Sequence, residues 1–221
     1  MIRALDILIS TLALAVLSPL LLLACVLIYV TGEGDIFFFQ KRSGRAGKTF
    51  FLIKFATMTR DSASLGSGLF TEKNDSRFLP FGPFLRRTKI NELPQLINVI
   101  KGDMSLVGWR PLVESTFIQA KLLSRCNAYD VMPGITGLSS IFGRREEEDL
   151  ANIADKADLY FRAVLPRKVM LDDWWALNAS LLNYALILVI TVWALIAPRD
   201  YVPLRLLVGG RRLSHRLNED A

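Results

Sequence analysis

The 221-residue chain is 52% hydrophobic and carries 27 Lys and Arg against 21 Asp and Glu, a formal charge of +6. So apolar a composition excludes an ordinary soluble domain of this size, and the cationic balance suits anionic headgroups or phosphates. Two distant cysteines, Cys25 and Cys126, and one histidine, His215, exclude a disulfide framework, a zinc site and His-based nucleophilic catalysis, and the lack of DNA- or RNA-binding motifs excludes nucleic acid as a partner.

From Ile7 to Gly32 no residue is charged, which is the length and composition of a membrane segment. Arg3 ahead of it raises a signal peptide as the alternative, but no small-x-small cleavage site closes the run. Ser18-Pro19 falls at the midpoint, where proline removes a backbone donor and clashes with the preceding turn. Each half then reaches about 16–18 Å, half of a bilayer's apolar thickness. Hydropathy leaves two topologies open: a kinked span, or a helix that turns at Ser18-Pro19 and returns to the same face.

Next, IFFFQKRSGRAGKTFFLIKFATM predicts strand, turn and strand about Gly44 and Gly47, with Lys41, Arg42 and Lys48 available to lipid or substrate phosphate. Residues 60–76 are polar and Gly/Ser-rich, the pattern of a surface loop. In RRTKINELPQLINVIKGDMSLVGWRP, residues 86–111, Asn91 is a candidate helix cap and Pro94 sits in the first turn. Leu93, Leu96, Ile97 and Ile100 predict the buried face, and Lys101-Gly102 ends the helix. Arg86, Arg87 and Lys89 beside a helix start can hold phosphate, although an amphipathic helix with a solvated basic flank has the same spacing.

Residues 112–125 predict a helix with Leu112, Phe117, Leu122 and Leu123 partly buried. Pro133-Gly134-Ile135-Thr136-Gly137 and Gly143-Arg144 follow, then an exposed helix from Arg145 to Leu165, acidic in its first turn. Pro166 restarts the chain into Leu171-Asp172 and Trp174-Trp175. The uncharged run from Trp174 to Pro198 reads as a second anchor or an interfacial helix, with a buried core helix as the alternative. Arg199 to Ala221 forms a basic tail suited to anionic lipid.

These stretches together resemble the bacterial sugar transferases, the monotopic polyprenyl-phosphate phosphoglycosyl transferases. The likeness is carried by Gln40-Lys41-Arg42 with Gly44, Gly47, Lys48 and Phe50; by Lys54-Phe55 with Thr57-Met58; by Glu92 to Leu96, Gly102 to Gly108 and Arg110-Pro111; and by Gly134 to Gly137, Gly143-Arg144 and Leu171-Asp172. Four positions depart from the family pattern. Asn91 stands where the family has the aspartate of an Asp-Glu pair, Ala56 where it has arginine, Trp109 where it has proline, and Asn183 where it has aspartate.

The resemblance implies an α+β, mainly helical fold: a re-entrant membrane helix over 1–32 broken at Ser18-Pro19, a small membrane-associated catalytic domain with short strands over 33–198, an interfacial apolar helix at 174–197, and a tail at 199–221. It implies a transferase moving a phosphosugar from a UDP-sugar to undecaprenyl phosphate and releasing UMP. Its place would be the cytoplasmic face of the bacterial inner membrane, among anionic lipids, supplying downstream glycosyltransferases of an exopolysaccharide, O-antigen or glycoprotein pathway. Asn91 and Glu92 would be the catalytic positions, with Glu92 a ligand of Mg²⁺. Lys54, Arg86, Arg110 and Arg144 would bind phosphate, and Asp172 would be a further site acid. A carboxamide lacks the charge of a nucleophile, so the alternative is an inactive homologue that binds membrane or a partner.

Overall fold

A computed structural model describes residues 1–63, 75–145 and 155–196; the expectations for most of the 60–76 loop, for the acidic stretch 146–154 and for the basic tail lie outside the described residues. The first element, α1 (Ile2–Thr31), is one continuous helix through Ser18-Pro19, so the expected break is not an interruption. The reason lies next to the proline. Pro19 cannot donate to the Ala15 carbonyl, and the Ser18 hydroxyl does so instead, at 2.8 Å.

One stripe of α1 faces protein: Asp6 and Ser10 in its first half, Ala24 and Ile28 in its second. The rest is Leu, Val and Ile open to the surroundings, and only 11% of its most apolar 18-residue window, mean hydropathy 2.7, is buried. A core helix would be covered all round; this one leaves its outer apolar face uncovered, as a membrane-associated helix does.

The expected hairpin forms from β1 (Phe37–Ser43) and β2 (Thr49–Phe55), antiparallel with Phe37 opposite Phe55 and Ser43 opposite Thr49. Its turn carries Ala46 and Gly47 at positive φ. Alternation places Arg42 and Lys54 on the same face as buried Leu52, while Phe37 and Phe55 stack on the other at 5.5 Å. A short helix, α2 (Gly82–Arg87), follows.

The next helix departs from expectation. Asn91 lies in a separate 3-10 turn, Ile90–Glu92, and α3 (Gln95–Lys101) begins four residues later without it as cap. The buried side of α3 is Gln95, Leu96, Asn98 and Val99, whereas Ile97 and Ile100 are exposed. The cause is Asn98. Its carboxamide accepts from Ile53 N–H at 3.0 Å and donates to the Phe51 carbonyl at 2.8 Å, closing the free edge of β2 and turning that polar side inward. Gly102, at φ 96°, ends the helix as expected.

Then β3 (Ser105–Val107) pairs in parallel with β4 (Gly134–Thr136). A Cβ on Gly134 would lie 2.1 Å from Gly108 N, and one on Gly137 2.0 Å from Gly108 O. These glycines therefore let two backbones meet each other rather than a ligand. Between the strands, α4 (Glu114–Leu123) buries Thr116, Phe117 and Ala120 and leaves Leu122 and Leu123 exposed, because Leu122 lies about 140° round the helix from Phe117.

After α5 (Leu138–Phe142), α6 (Lys156–Leu159) passes through a π turn at Tyr160–Val164 into α7 (Leu165–Asn178). The chain does not restart at Pro166; proline is accepted in the first turn of α7, where an amide donor is dispensable. The run 174–197 is two elements, since α7 ends before Ala179-Ser180 and α8 spans Leu181–Ile196. Asn183 stitches this break, donating its side chain to the Asn178 carbonyl at 2.7 Å. Tyr184, Ile187 and Ile190 of α8 are core, while Leu182, Val189, Val192 and Trp193 face outward, so the core alternative describes one face of this run and the other is left uncovered.

Candidate active site

Glu92 ends the 3-10 turn that Lys89 enters in the left-handed conformation, φ 59°. It meets Arg110 in a two-pronged pair, Nη2 to Oε1 at 2.8 Å and Nη1 to Oε2 at 3.4 Å, and Lys54 Nζ lies 3.9 Å away. Burial pushes the Glu92 carboxyl up, but the charges of Arg110 and Lys54 and the Arg110 hydrogen bond outweigh it, holding the group well below the usual carboxylate range. Lys54 is lowered too, but toward its neutral form: burial brings it to about 8 against the pull of Glu92.

Each member arrives from a different element. Lys54 comes from β2, and Arg110 follows β3 at the point where Gly108 packs on β4. Trp109 between them is wholly buried, stacked edge-on against Tyr129 at 4.9 Å with its Nε1 bonded to the Val131 carbonyl. The residue that departs from the family proline thus anchors the strand end that carries Arg110. Ala56, likewise, is packed among Phe55, Leu79 and Leu85 under α1.

Arg42 joins this group from β1, with Nη1 on the Pro111 carbonyl at 3.4 Å and Nη2 on Gln40 at 2.8 Å, while its buried Nε has no partner. Burial and then Arg110 lower its guanidinium to about 10. The sequence offered Arg42 as a lipid or phosphate contact without placing it here; its alternation with Lys54 across the hairpin was the available signal. Arg86 sits 5.4 Å over the Phe78 ring, and its charge bears on Lys54.

Asn91 is 7% exposed, and its Oδ1 has no hydrogen-bond partner. One turn on, Gln95 is in the same condition at Nε2. A buried orphan oxygen next to a carboxylate is chemically suited to a hard cation, which accepts neutral and anionic oxygen together. Among the described residues no three His, Cys, Asp or Glu side chains converge, so any such ion would take its remaining ligands from water or a bound phosphate.

On the far side of Arg110 a small, shallow cleft is lined by Leu112, Tyr129, Ser139, Leu165, Lys168 and Asp172. Asp172 accepts from the Tyr129 hydroxyl at 3.2 Å, and burial pushes its carboxyl up to about 7 against the pull of that hydroxyl; the Ser139 hydroxyl lines the same cleft, buried and without a hydrogen-bond partner. Tyr129 and Ser139 escaped the sequence reading, since neither stands in a motif that spacing alone makes conspicuous. Arg144 lies elsewhere, donating Nη1 to the Ala194 carbonyl of α8 at 2.7 Å. The structure therefore joins Lys54, Glu92 and Arg110 directly, sets Asn91 beside them in the chain, and places Asp172 one arginine away.

Comparison with known proteins gives the constellation its context. A family model described as bacterial sugar transferase matches residues 1–198. An undecaprenyl-phosphate glucose phosphotransferase of Komagataeibacter xylinus is 38% identical over 168 residues, 74% of this chain and 31% of that protein. A UDP-N-acetylgalactosamine-undecaprenyl-phosphate N-acetylgalactosaminephosphotransferase of Aeromonas hydrophila is 34% identical over 72% of this chain and 38% of its own length. The exopolysaccharide production protein ExoY of Sinorhizobium fredii is 34% identical over 69% of this chain and 73% of its own. The chain thus spans about a third of the first two relatives and most of the third. With a family match over nearly its whole described length, the chain belongs to the bacterial sugar transferases.

Proposed function

We propose that this protein is a phosphoglycosyl transferase that moves a phosphosugar from a UDP-sugar to undecaprenyl phosphate. The carrying observation is the cationic surround of Glu92: Lys54 and Arg110 within 4 Å, with Arg42, Arg86 and Lys89 acting on the same group or its partners. That excess of positive charge over one carboxylate suits a diphosphate, and guanidinium forks bind its oxygens in pairs. In the reaction an oxygen of the acceptor phosphate bonds to the β-phosphorus, the bond to the bridging α,β-oxygen breaks, and UMP leaves with that oxygen. Arg110, Arg42 and Lys54 stabilise the charge that gathers on the phosphoryl oxygens. Glu92 holds these cations in place.

Mg²⁺ would be held by Glu92 and the orphan Oδ1 of Asn91, and would draw charge from the phosphoryl oxygens. Asn91 itself favours a second reading. A neutral amide does not attack phosphorus, so a route through a covalent intermediate at this position is closed to the chain as it stands, and a binder without turnover is the competing role.

Localisation follows from α1. A transbilayer helix holds its ends on opposite faces, yet Arg3 and Asp6 bond to the same domain on which Ala24 and Ile28 pack. This supports a monotopic protein at one face of the inner membrane, the cytoplasmic face where UDP-sugars occur and where flanking cations meet anionic lipid. Cysteines at positions 3 and 48 should then label from the cytoplasmic side alone, and labelling of position 3 from outside would refute it.

UMP release from a panel of UDP-sugars, measured on membranes holding the full chain, tests the function. Asn91→Asp exchanges NH₂ for oxygen and supplies the missing charge, so UMP formation should rise by orders of magnitude with a phosphosugar trapped on the protein. An unaltered chain and an Asp variant that are both inert toward the panel would establish the binding role instead.

A further inference from the structure

Asp6 is a buried carboxylate for which the diphosphate site has no direct use. It lies in the second turn of α1, 2% exposed, and its single Oδ1 accepts three hydrogen bonds: from Ser105 Oγ at 3.0 Å, from Leu106 N–H at 2.9 Å and from the Tyr184 hydroxyl at 2.8 Å. Arg3, one turn earlier, donates to the Ile100 and Met104 carbonyls at 3.1 and 3.3 Å, at the end of α3 and the approach to β3. A carboxylate persists in such a place only when donors converge on it, and here they converge from β3 and α8.

What lies downstream of β3 gives the arrangement its consequence. Four residues after Leu106 the chain reaches Arg110, the partner of Glu92. The other half of α1 rests Ala24 and Ile28 on Phe55 and Leu85, the chain neighbours of Lys54 and Arg86. The membrane helix therefore touches both walls of the cationic site. We propose that Asp6 is a positioning residue for the anion site: by tying β3 to the first turns of α1 it holds Arg110 against Glu92. This rests on the reading of the Glu92 cluster as a diphosphate site.

The test uses the full chain in lipid nanodiscs, with hydrogen exchange at the Leu106 amide read without ligand and affinity for UDP read by calorimetry. Asp6→Leu should speed exchange at Leu106 and weaken UDP, each by about tenfold, the worth of one lost hydrogen bond. Asp6→Asn keeps an oxygen acceptor and should restore both. Asp173→Leu is the control: Asp173 accepts from Ser124 and the Arg125 amide, away from β3, so its loss should lower the melting point while leaving both readings unchanged. Where Asp6→Leu does not assemble, Tyr184→Phe, which deletes one of the three donors, should move both readings in the same direction.

Unchanged exchange at Leu106 in the Asp6 variant would overturn the proposal, as would equal loss of UDP binding in the control. An unaltered chain that binds no UDP would refute the reading of the site, and with it the link to the anion, while the exchange arm still decides whether Asp6 holds β3.

Discussion

Glu92, largely covered and paired with Arg110, and Asp172, buried in a cleft that Arg110 also lines, treat their protons in opposite ways. Glu92 is met by a guanidinium fork and an ammonium and stays ionised. Asp172 is met by a hydroxyl and rises to about 7. Burial alone raises both; what separates them is whether a full positive charge or only a dipole faces the oxygen. On one side of Arg110 is thus a fixed anion that organises cations, and in the cleft on its other side is a group that titrates near neutrality.

The sharpest way to break this contrast is to delete the fixed anion. Glu92→Leu leaves Lys54, 16% exposed at its side chain, without its carboxylate and Arg110 without its fork. Removing one partner of a buried pair costs about 3–5 kcal/mol, and because the Arg110 side chain is 40% exposed the low end, about 3 kcal/mol, is expected. Thermal unfolding in detergent measures it. A loss below about 1 kcal/mol would mean that the cations are satisfied without Glu92.

The Asp172 side predicts a pH dependence of the opposite sign. Its folded value lies above its unfolded one, so the favourable contribution is complete below about 4 and is lost as pH rises through about 7. The gap between the ordinary 3.8 and about 7 corresponds to roughly 4 kcal/mol between those limits. Asp172→Asn, neutral throughout, should remove that slope and be no less stable than the unaltered protein at pH 8. Glu92 adds slope only at the acid end, below about pH 5, and equally in both chains, because its contribution is present above about 4.3 and is lost as pH falls through its much lower folded value. Melting points from pH 4 to 8 for the two chains decide the matter; parallel curves would show that Asp172 is ionised throughout.

This contrast also marks how far the sequence could be read. Lys54, Glu92 and Arg110 were legible because each sits in a motif whose residues resemble a known family, and the hairpin and Gly102 were legible from local turn chemistry. The buried face of α3 was not, because Asn98 and Gln95 are polar and only tertiary partners such as the β2 edge make their burial favourable. Gly134 and Gly137 stood out only as part of the family likeness, and the backbone they let past, that of Gly108, lies some thirty residues away in the chain. Ser18-Pro19 announced a broken helix, and a hydroxyl on the Ala15 carbonyl repaired it. Tyr129 reaches Asp172, and Ser139 the cleft around it, across more than thirty residues, a distance at which periodicity carries no information.

The smallest effect belongs to the dipoles themselves. Burial and the neighbouring Asp172 push the Tyr129 phenol above its ordinary value, so it remains a protonated donor. Tyr129→Phe keeps the ring that packs against Trp109 and Phe117 and removes the hydroxyl alone. At pH 8, where Asp172 is charged, a lost charge-assisted bond should cost about 1.5 kcal/mol; at pH 5, where the carboxyl is neutral, about half of that. Because the hydroxyl favours the ionised form, its removal should also carry the Asp172 transition further above 7. An equal cost at both pH values would mean that Tyr129 serves packing and not charge, and the difference between the two carboxylates would then rest on Arg110 and Lys54 alone.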